Sequence, residues 1–207
     1  MGLFITFEGG EGCGKSSQSK LLYSRLKKLA IPALLTHEPG VTDLGKKITR
    51  LLKYSRDIAI SPLSELLLFN ASRAQLVDAV IMPALKKGTV VICDRYADST
   101  TAYQGYGRGL DLATVTAVNR IATQGLLPEL TILLDLPVEA GLARKQDNKP
   151  DRFQTENLSF HRPVREGYLK LAKADPKRWL VIDATQSKQA IAGIIWQKVS
   201  KLIASNK

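Results

Sequence analysis

Eight consecutive residues constrain this chain more than any others: Gly9-Gly10-Glu11-Gly12-Cys13-Gly14-Lys15-Ser16. They fit the pattern GxxxxGK[ST]. Before them comes an apolar run of strand length, Leu3 to Phe7; after them Ser17 to Leu29 carries Leu21, Leu22, Leu26 and Leu29 at helical spacing. A strand, a glycine loop and a helix in that order bring backbone N–H groups together around phosphate oxygens, and the helix N-terminus adds its positive end. Lys15 then reaches the β and γ oxygens of a bound triphosphate, and Ser16 can ligate Mg²⁺. The residues expected at the donor nucleotide are Gly10, Glu11, Gly12, Cys13, Gly14, Lys15, Ser16 and Ser17.

Four further apolar runs of strand length follow, Ala33 to Thr36, Thr89 to Cys93, Leu130 to Leu134 and Trp179 to Ile182, separated by helix-like stretches such as Ser64 to Leu85. Strands alternating with helices predict a doubly wound α/β structure, a five-stranded parallel sheet with helices on both faces. The length of 207 residues suits one domain over 1–207. Hydrophobic and charged fractions of 44% and 24% exclude a disordered chain or a coiled-coil rod. Runs such as Val90-Val91-Ile92 are too short to span a bilayer, and Met1 to Glu8 lacks the basic start of a secretory signal, so the cytoplasm is the expected compartment. Cys13 and Cys93 form no CxxC pair, and neither His37 nor His161 sits in a zinc or triad spacing. The formal charge of +11 draws polyanions, nucleotide or nucleic acid, without choosing between them.

Ligands of open parallel sheets sit beyond the carboxyl ends of the strands. There Asp94-Arg95 follows the third strand: Arg95 offers a planar fork for a phosphate, and Asp94 can hold Mg²⁺ through water, orient the phosphate loop, or simply pair with an arginine. Phe69 and Arg73 stand four apart, hence on one helix face, where an aromatic plane beside a guanidinium makes a nucleobase seat or, alternatively, part of a core. Asn148-Lys149-Pro150-Asp151 matches the NKxD pattern of guanine readers, but no apolar strand precedes it and no DxxG follows the third strand, which disfavours a GTPase.

The phosphate loop, Glu38-Pro39-Gly40, Phe69-Asn70-Ala71-Ser72-Arg73 and Asp94 to Gly105 together closely resemble, in order and over nearly the whole chain, the bacterial thymidylate kinases, with the nucleoside monophosphate kinase fold. The departures are His37 and Val41, where that family usually has Arg and Gly. The resemblance implies transfer of the γ-phosphoryl of ATP to dTMP with Mg²⁺, giving dTDP and ADP for DNA precursor synthesis, by a cytoplasmic homodimer with no nucleic-acid or membrane partner. It places Arg95 and Arg50 on the acceptor phosphate, Phe69 and Arg73 on thymine, and Thr100 and Gln104 near the polar edge of the base. It also places Tyr103 against the sugar 2′ position, Glu11 near the 3′-hydroxyl, and Glu38 in the acceptor site. Ser99 either serves the acceptor or caps a helix.

The phosphate loop carries no cation at positions 10 to 13, so charge on the transferring group must be balanced from elsewhere. The breaker-rich stretch Arg144 to Arg152 reads as a mobile loop. The resemblance is to the bacterial type that supplies arginine from a lid, which implies a mobile lid at about 143–153 with Arg144, Lys145, Lys149 and Arg152 as candidate cations; Arg144 and Arg152 then join Lys15 and Arg95 as expected catalytic groups, while Ser16 and Asp94 are the expected metal ligands. The alternatives are another deoxynucleotide or deoxynucleoside kinase of this fold, or a nucleic-acid-binding ATPase; interleaved aromatic and basic runs that would favour the latter are missing from the sequence.

Overall fold

The computed structural model describes residues 2–55, 57–144 and 151–205. Five strands, β1 (Phe4–Glu8), β2 (Ala33–His37), β3 (Val90–Asp94), β4 (Leu130–Asp135) and β5 (Trp179–Asp183), form one parallel sheet in the order β2-β3-β1-β4-β5. Each expected apolar run is a strand, extended at its carboxyl end by one polar residue: Glu8, His37, Asp94, Asp135 or Asp183. The register sets Phe7 beside Asp94 and Glu8 beside Leu133, which aligns these polar ends along one edge of the sheet.

Burial on both faces explains the composition of the central strands. Every residue of β1 is buried; Phe4 lies on one side with Tyr96 and Leu85, while Ile5 and Phe7 lie on the other with Leu22, Leu26 and Ile195. Each such aromatic or aliphatic side chain contributes about 1.5–3 kcal/mol on leaving water. Thr6, also on β1, is tolerated because its hydroxyl bonds that of Thr131 on β4 at 3.0 Å.

Helices α1 (Lys15–Lys28), α2 (Asp43–Tyr54), α3 (Pro62–Leu76), α4 (Met82–Lys86), α5 (Ala97–Thr100), α6 (Leu112–Thr123), α7 (Val138–Arg144), α8 (Leu158–Ala174) and α9 (Lys188–Ser205) complete the described fold. The single helix expected over Ser64 to Leu85 is two, joined by a widened turn at Val77–Ile81. Pro83 accounts for the break: it has no N–H for the carbonyl of Ala79, and its ring would clash with that carbonyl in a regular helix. A second widened turn, Thr101–Gly107, follows α5 and rotates Tyr103 and Gln104 into the interior.

Sheet order reverses between β1 and β3, so the loop after β1 and the turn after β3 face each other across the crevice where such folds bind ligands.

Candidate active site

The phosphate loop leaves β1 at Glu8 and enters α1 at Lys15. Its Lys15 ammonium is almost fully buried and bonds the carbonyls of Gly9 (3.0 Å) and Gly10 (2.6 Å). Ser16 donates its hydroxyl to the Asp94 carboxylate, so the two expected metal ligands, from α1 and β3, lie in contact. Gly12 has φ +66°, and a Cβ there would come within 2.0 Å of the Gly141 carbonyl on α7. Gly141 in turn has its Cβ position 2.3 Å from the carbonyl of Glu11. Loop and helix therefore touch backbone to backbone.

Arg95, in the left-handed region at φ +71°, turns back over the loop instead of continuing β3. Its guanidinium donates to the Gly9 carbonyl (3.1 Å), Glu11 Oε1 (2.8 Å), Ser99 Oγ (3.2 Å), and the hydroxyls of Tyr103 and Tyr168 (3.2 Å each). The arginine thus pairs with Glu11 and not with its neighbour Asp94. Beneath it lies Glu8, fully buried, accepting from Tyr96 N–H (2.8 Å), Ser99 Oγ (2.5 Å) and Tyr168 OH (3.1 Å). Burial, reinforced by nearby Asp98, pushes the Glu8 carboxyl up to about 7 against the opposing pull of Ser99, Arg95 and the Tyr96 N–H. Burial likewise pushes the phenols of Tyr103 and Tyr168 up, so both remain hydrogen-bond donors.

Beyond Arg95 opens a small cavity of about 50 Å³. It is lined by Glu11, Glu38, Phe69, Arg73, Arg95, Ser99, Thr100, Tyr103 and Gln104, together with Lys53, Tyr96, Asp151 and Phe153. Every acceptor residue expected from the sequence is there except Arg50. On α2 it is Thr49 and Lys53, one turn apart, that face the crevice; Arg50 sits about 100° further round, in a separate shallow dip with Pro39, Lys46 and Tyr54. Ser99 lies inside α5, so the alternative of a helix cap does not describe its hydroxyl, which bonds Glu8, Arg95 and Tyr168.

Arg73 is held on every side. Its Nε donates to Glu38 (2.8 Å), one terminal nitrogen to Asn70 (3.1 Å) and Asn119 (3.0 Å), the other to the Tyr96 carbonyl (3.2 Å) and Thr100 Oγ1 (2.8 Å). It forms the cavity floor; a base carbonyl would have to share or replace one of these bonds. Glu38 is raised by burial although Arg73 pulls the other way.

The two arginines expected in a lid part company. Arg144, ending α7, donates to the Ala184 carbonyl just past β5 at 3.2 Å. Arg152 is instead clamped to Glu65 on α3, while its backbone N–H meets the Lys53 carbonyl at 3.1 Å. Lys145 and Lys149 lie outside the described residues. Asp151, the last residue of the NKxD match, caps the turn of Phe153 and Gln154 and pairs with Lys53 at 3.2 Å. Glu8, Lys53, Glu65 and Arg108 were not picked out as site residues in the sequence: each acts across 40 or more positions or from an ordinary-looking helix face.

Comparison with known proteins matches residues 7–195 to the thymidylate kinase family. A thymidylate kinase of Dehalococcoides mccartyi is 58% identical over 203 residues, 98% of each chain, and one of Geotalea uraniireducens is 46% identical over 99% of each. The crystal structure of thymidylate kinase from Ehrlichia chaffeensis superposes with a TM-score of 0.76 at 33% identity, covering 96% of this chain and 98% of that one. With a phosphate loop and a cavity meeting at Arg95, and with relatives this close along its whole length, the chain belongs to the thymidylate kinase family.

Proposed function

We propose that this protein transfers the γ-phosphoryl of ATP to the 5′-phosphate of dTMP, yielding ADP and dTDP for DNA precursor synthesis. One observation carries the reading most directly: a single guanidinium, Arg95, bonds both the phosphate loop, at Gly9 and Glu11, and the rim of the cavity, at Ser99 and Tyr103, whose lining includes Arg73, Phe69 and Phe153. A phosphate oxygen of dTMP attacks the γ-phosphorus as the bond to the β-phosphate oxygen breaks. The attacking oxygen is already ionised near neutral pH, since the second pKa of a phosphomonoester is about 6. No general base is required, and positioning with charge balance suffices.

In this reading Lys15 leaves its loop carbonyls for the β and γ oxygens, and Arg95 orients the acceptor phosphate toward the loop. Ser16 and Asp94, hard oxygen donors already in contact, fit Mg²⁺. The ion, when bound, would neutralise charge on the β and γ phosphates. Tyr103, bonded to Glu11 at 3.0 Å, stands where a sugar would lie and disfavours a 2′-hydroxyl. Arg144, at the root of the segment toward 150, supplies the lid cation. Exposed Leu63 and Leu67 on α3 and Leu112 and Ile121 on the adjoining α6 support a homodimer, and no described helix is long and apolar enough to cross a membrane.

A coupled ADP-release assay across the nucleoside monophosphates tests the reading. Turnover with dTMP well above that with dCMP, dGMP or dAMP is expected; strict preference for another acceptor, or DNA-stimulated hydrolysis without dTMP, would overturn it.

A further inference from the structure

The buried carboxylate of Glu65, on α3, is 1% exposed and collects three donor side chains, two from the turn Thr101–Gly107 and its end and one from Arg152. Gln104 Nε2 reaches its Oε1 at 2.7 Å; Arg108 brackets it through Nε and a terminal nitrogen at 3.2 Å each; Arg152 clamps its second oxygen. Both oxygens of this carboxylate accept, from the two guanidiniums and from Gln104. The Gln104 carboxamide has one donor end and one acceptor end of nearly equal shape, so its neighbours decide which end goes where. Facing a carboxylate, Gln104 must turn its NH₂ toward Glu65. Its Oε1 is left for the cavity that Gln104 lines beside Phe69 and Thr100, and no group among the described residues donates to it.

We propose that Glu65 is a specificity-determining positioning residue: by fixing the Gln104 amide with its oxygen toward the acceptor cavity, it selects a base that presents an N–H there. This rests on the dTMP reading and deepens it. Thymine carries N3–H between two carbonyls, whereas cytosine carries a bare N3 acceptor beside an amino group; an acceptor aimed at N3 therefore pairs with the first and repels the second. Arg108 and Arg152 act behind Glu65, by holding its carboxylate in place. Arg108 is also held by Glu156 at 2.7 Å, which ties the base-reading amide to the segment that follows Phe153.

The decisive variant is Glu65→Gln. An amide at position 65 keeps an oxygen for the two arginines and turns its NH₂ toward Gln104, which must then flip and present its own NH₂ to the cavity. The ratio of kcat/KM for dTMP over dCMP should fall by about 10- to 100-fold, through loss on dTMP, gain on dCMP, or both. In a Gln104→Met background the same Glu65→Gln change should leave the ratio unchanged, a coupling that mere structural damage would not produce. A folded Glu65→Gln enzyme with the wild-type ratio, or an equal fall in both backgrounds, overturns the proposal. Should Glu65→Gln fail to fold, the wild type decides: the Gln104 side-chain NH₂ protons should exchange slowly with solvent both free and with dTMP bound, and fast exchange in the complex overturns it. Wild-type enzyme that ignores dTMP would instead overturn the acceptor reading itself, and with it the base assigned to Gln104.

Discussion

Arg73 and Glu38 face each other at 2.7 Å with side chains only 2% and 4% exposed, a charge pair sealed between α3 and the end of β2. Removing one member of such a pair leaves the other charged, buried and alone. Arg73→Ala should therefore destabilise the fold by about 3–5 kcal/mol in addition to weakening acceptor binding. Denaturant unfolding checks this, and adding Glu38→Gln to Arg73→Ala should restore part of the loss; a purely ligand-facing arginine would show no such rescue.

Lys15→Ala should fold normally and lose about 10²- to 10³-fold in kcat, because the ammonium serves charge that peaks during transfer. Its present partners, the Gly9 and Gly10 carbonyls and Cys13 Sγ, all belong to its own loop. Near-normal turnover in a folded variant would count against the phosphate-loop assignment.

The separation of Arg144 from Arg152 gives them different expected phenotypes. Arg144→Ala should depress kcat by about 10²-fold while dTMP binding measured by calorimetry stays nearly constant, as befits a cation that engages when the site closes. Arg152→Ala should act the other way, raising the dTMP dissociation constant by about tenfold with a smaller effect on kcat, because it braces Glu65 and the Phe153 turn. Equal kcat losses would place both at the transferring group.

Glu8 supplies a signature in pH. Its folded carboxyl titrates at about 7 against an ordinary 4.5, so between those values the folded protein holds a proton that the unfolded chain releases. Stability from this group is thus present below about 4.5, declines as pH rises, and is lost above about 7, at about 1.4 kcal/mol per unit. Relative to wild type, Glu8→Gln should become progressively more stable between about pH 4.5 and 7 and change little above that, as thermal melts across the range would record. Asp98, Arg95 and Tyr168, which face Glu8, set the size of the trend.

The strands were legible because a sheet buried on both faces demands unbroken apolar runs, and the phosphate loop because its glycines sit at fixed spacing. What the sequence hid follows from the same physics. Polar strand ends such as Glu8 and Asp94 look like loop until the pairing of β1 with β3 is known. The break before Pro83 was legible in principle, from proline chemistry alone. Arg50 and Lys53 are both cations on α2, and only the packing of that helix fixes that position 53 faces the crevice. Glu65 reads as one more solvated acid near a helix start, since its three partners arrive from 39, 43 and 87 positions away.

The backbone contact between Gly12 and Gly141 limits the paths along which this enzyme could change. A lysine or arginine at position 12 would have to displace α7 and adopt a left-handed backbone at once, so placing a cation there is closed to single substitutions. Position 10, by contrast, has open space around its Cβ direction and an ordinary φ. Of these two glycines, Gly10 is therefore the one where a cation could enter the loop without moving α7.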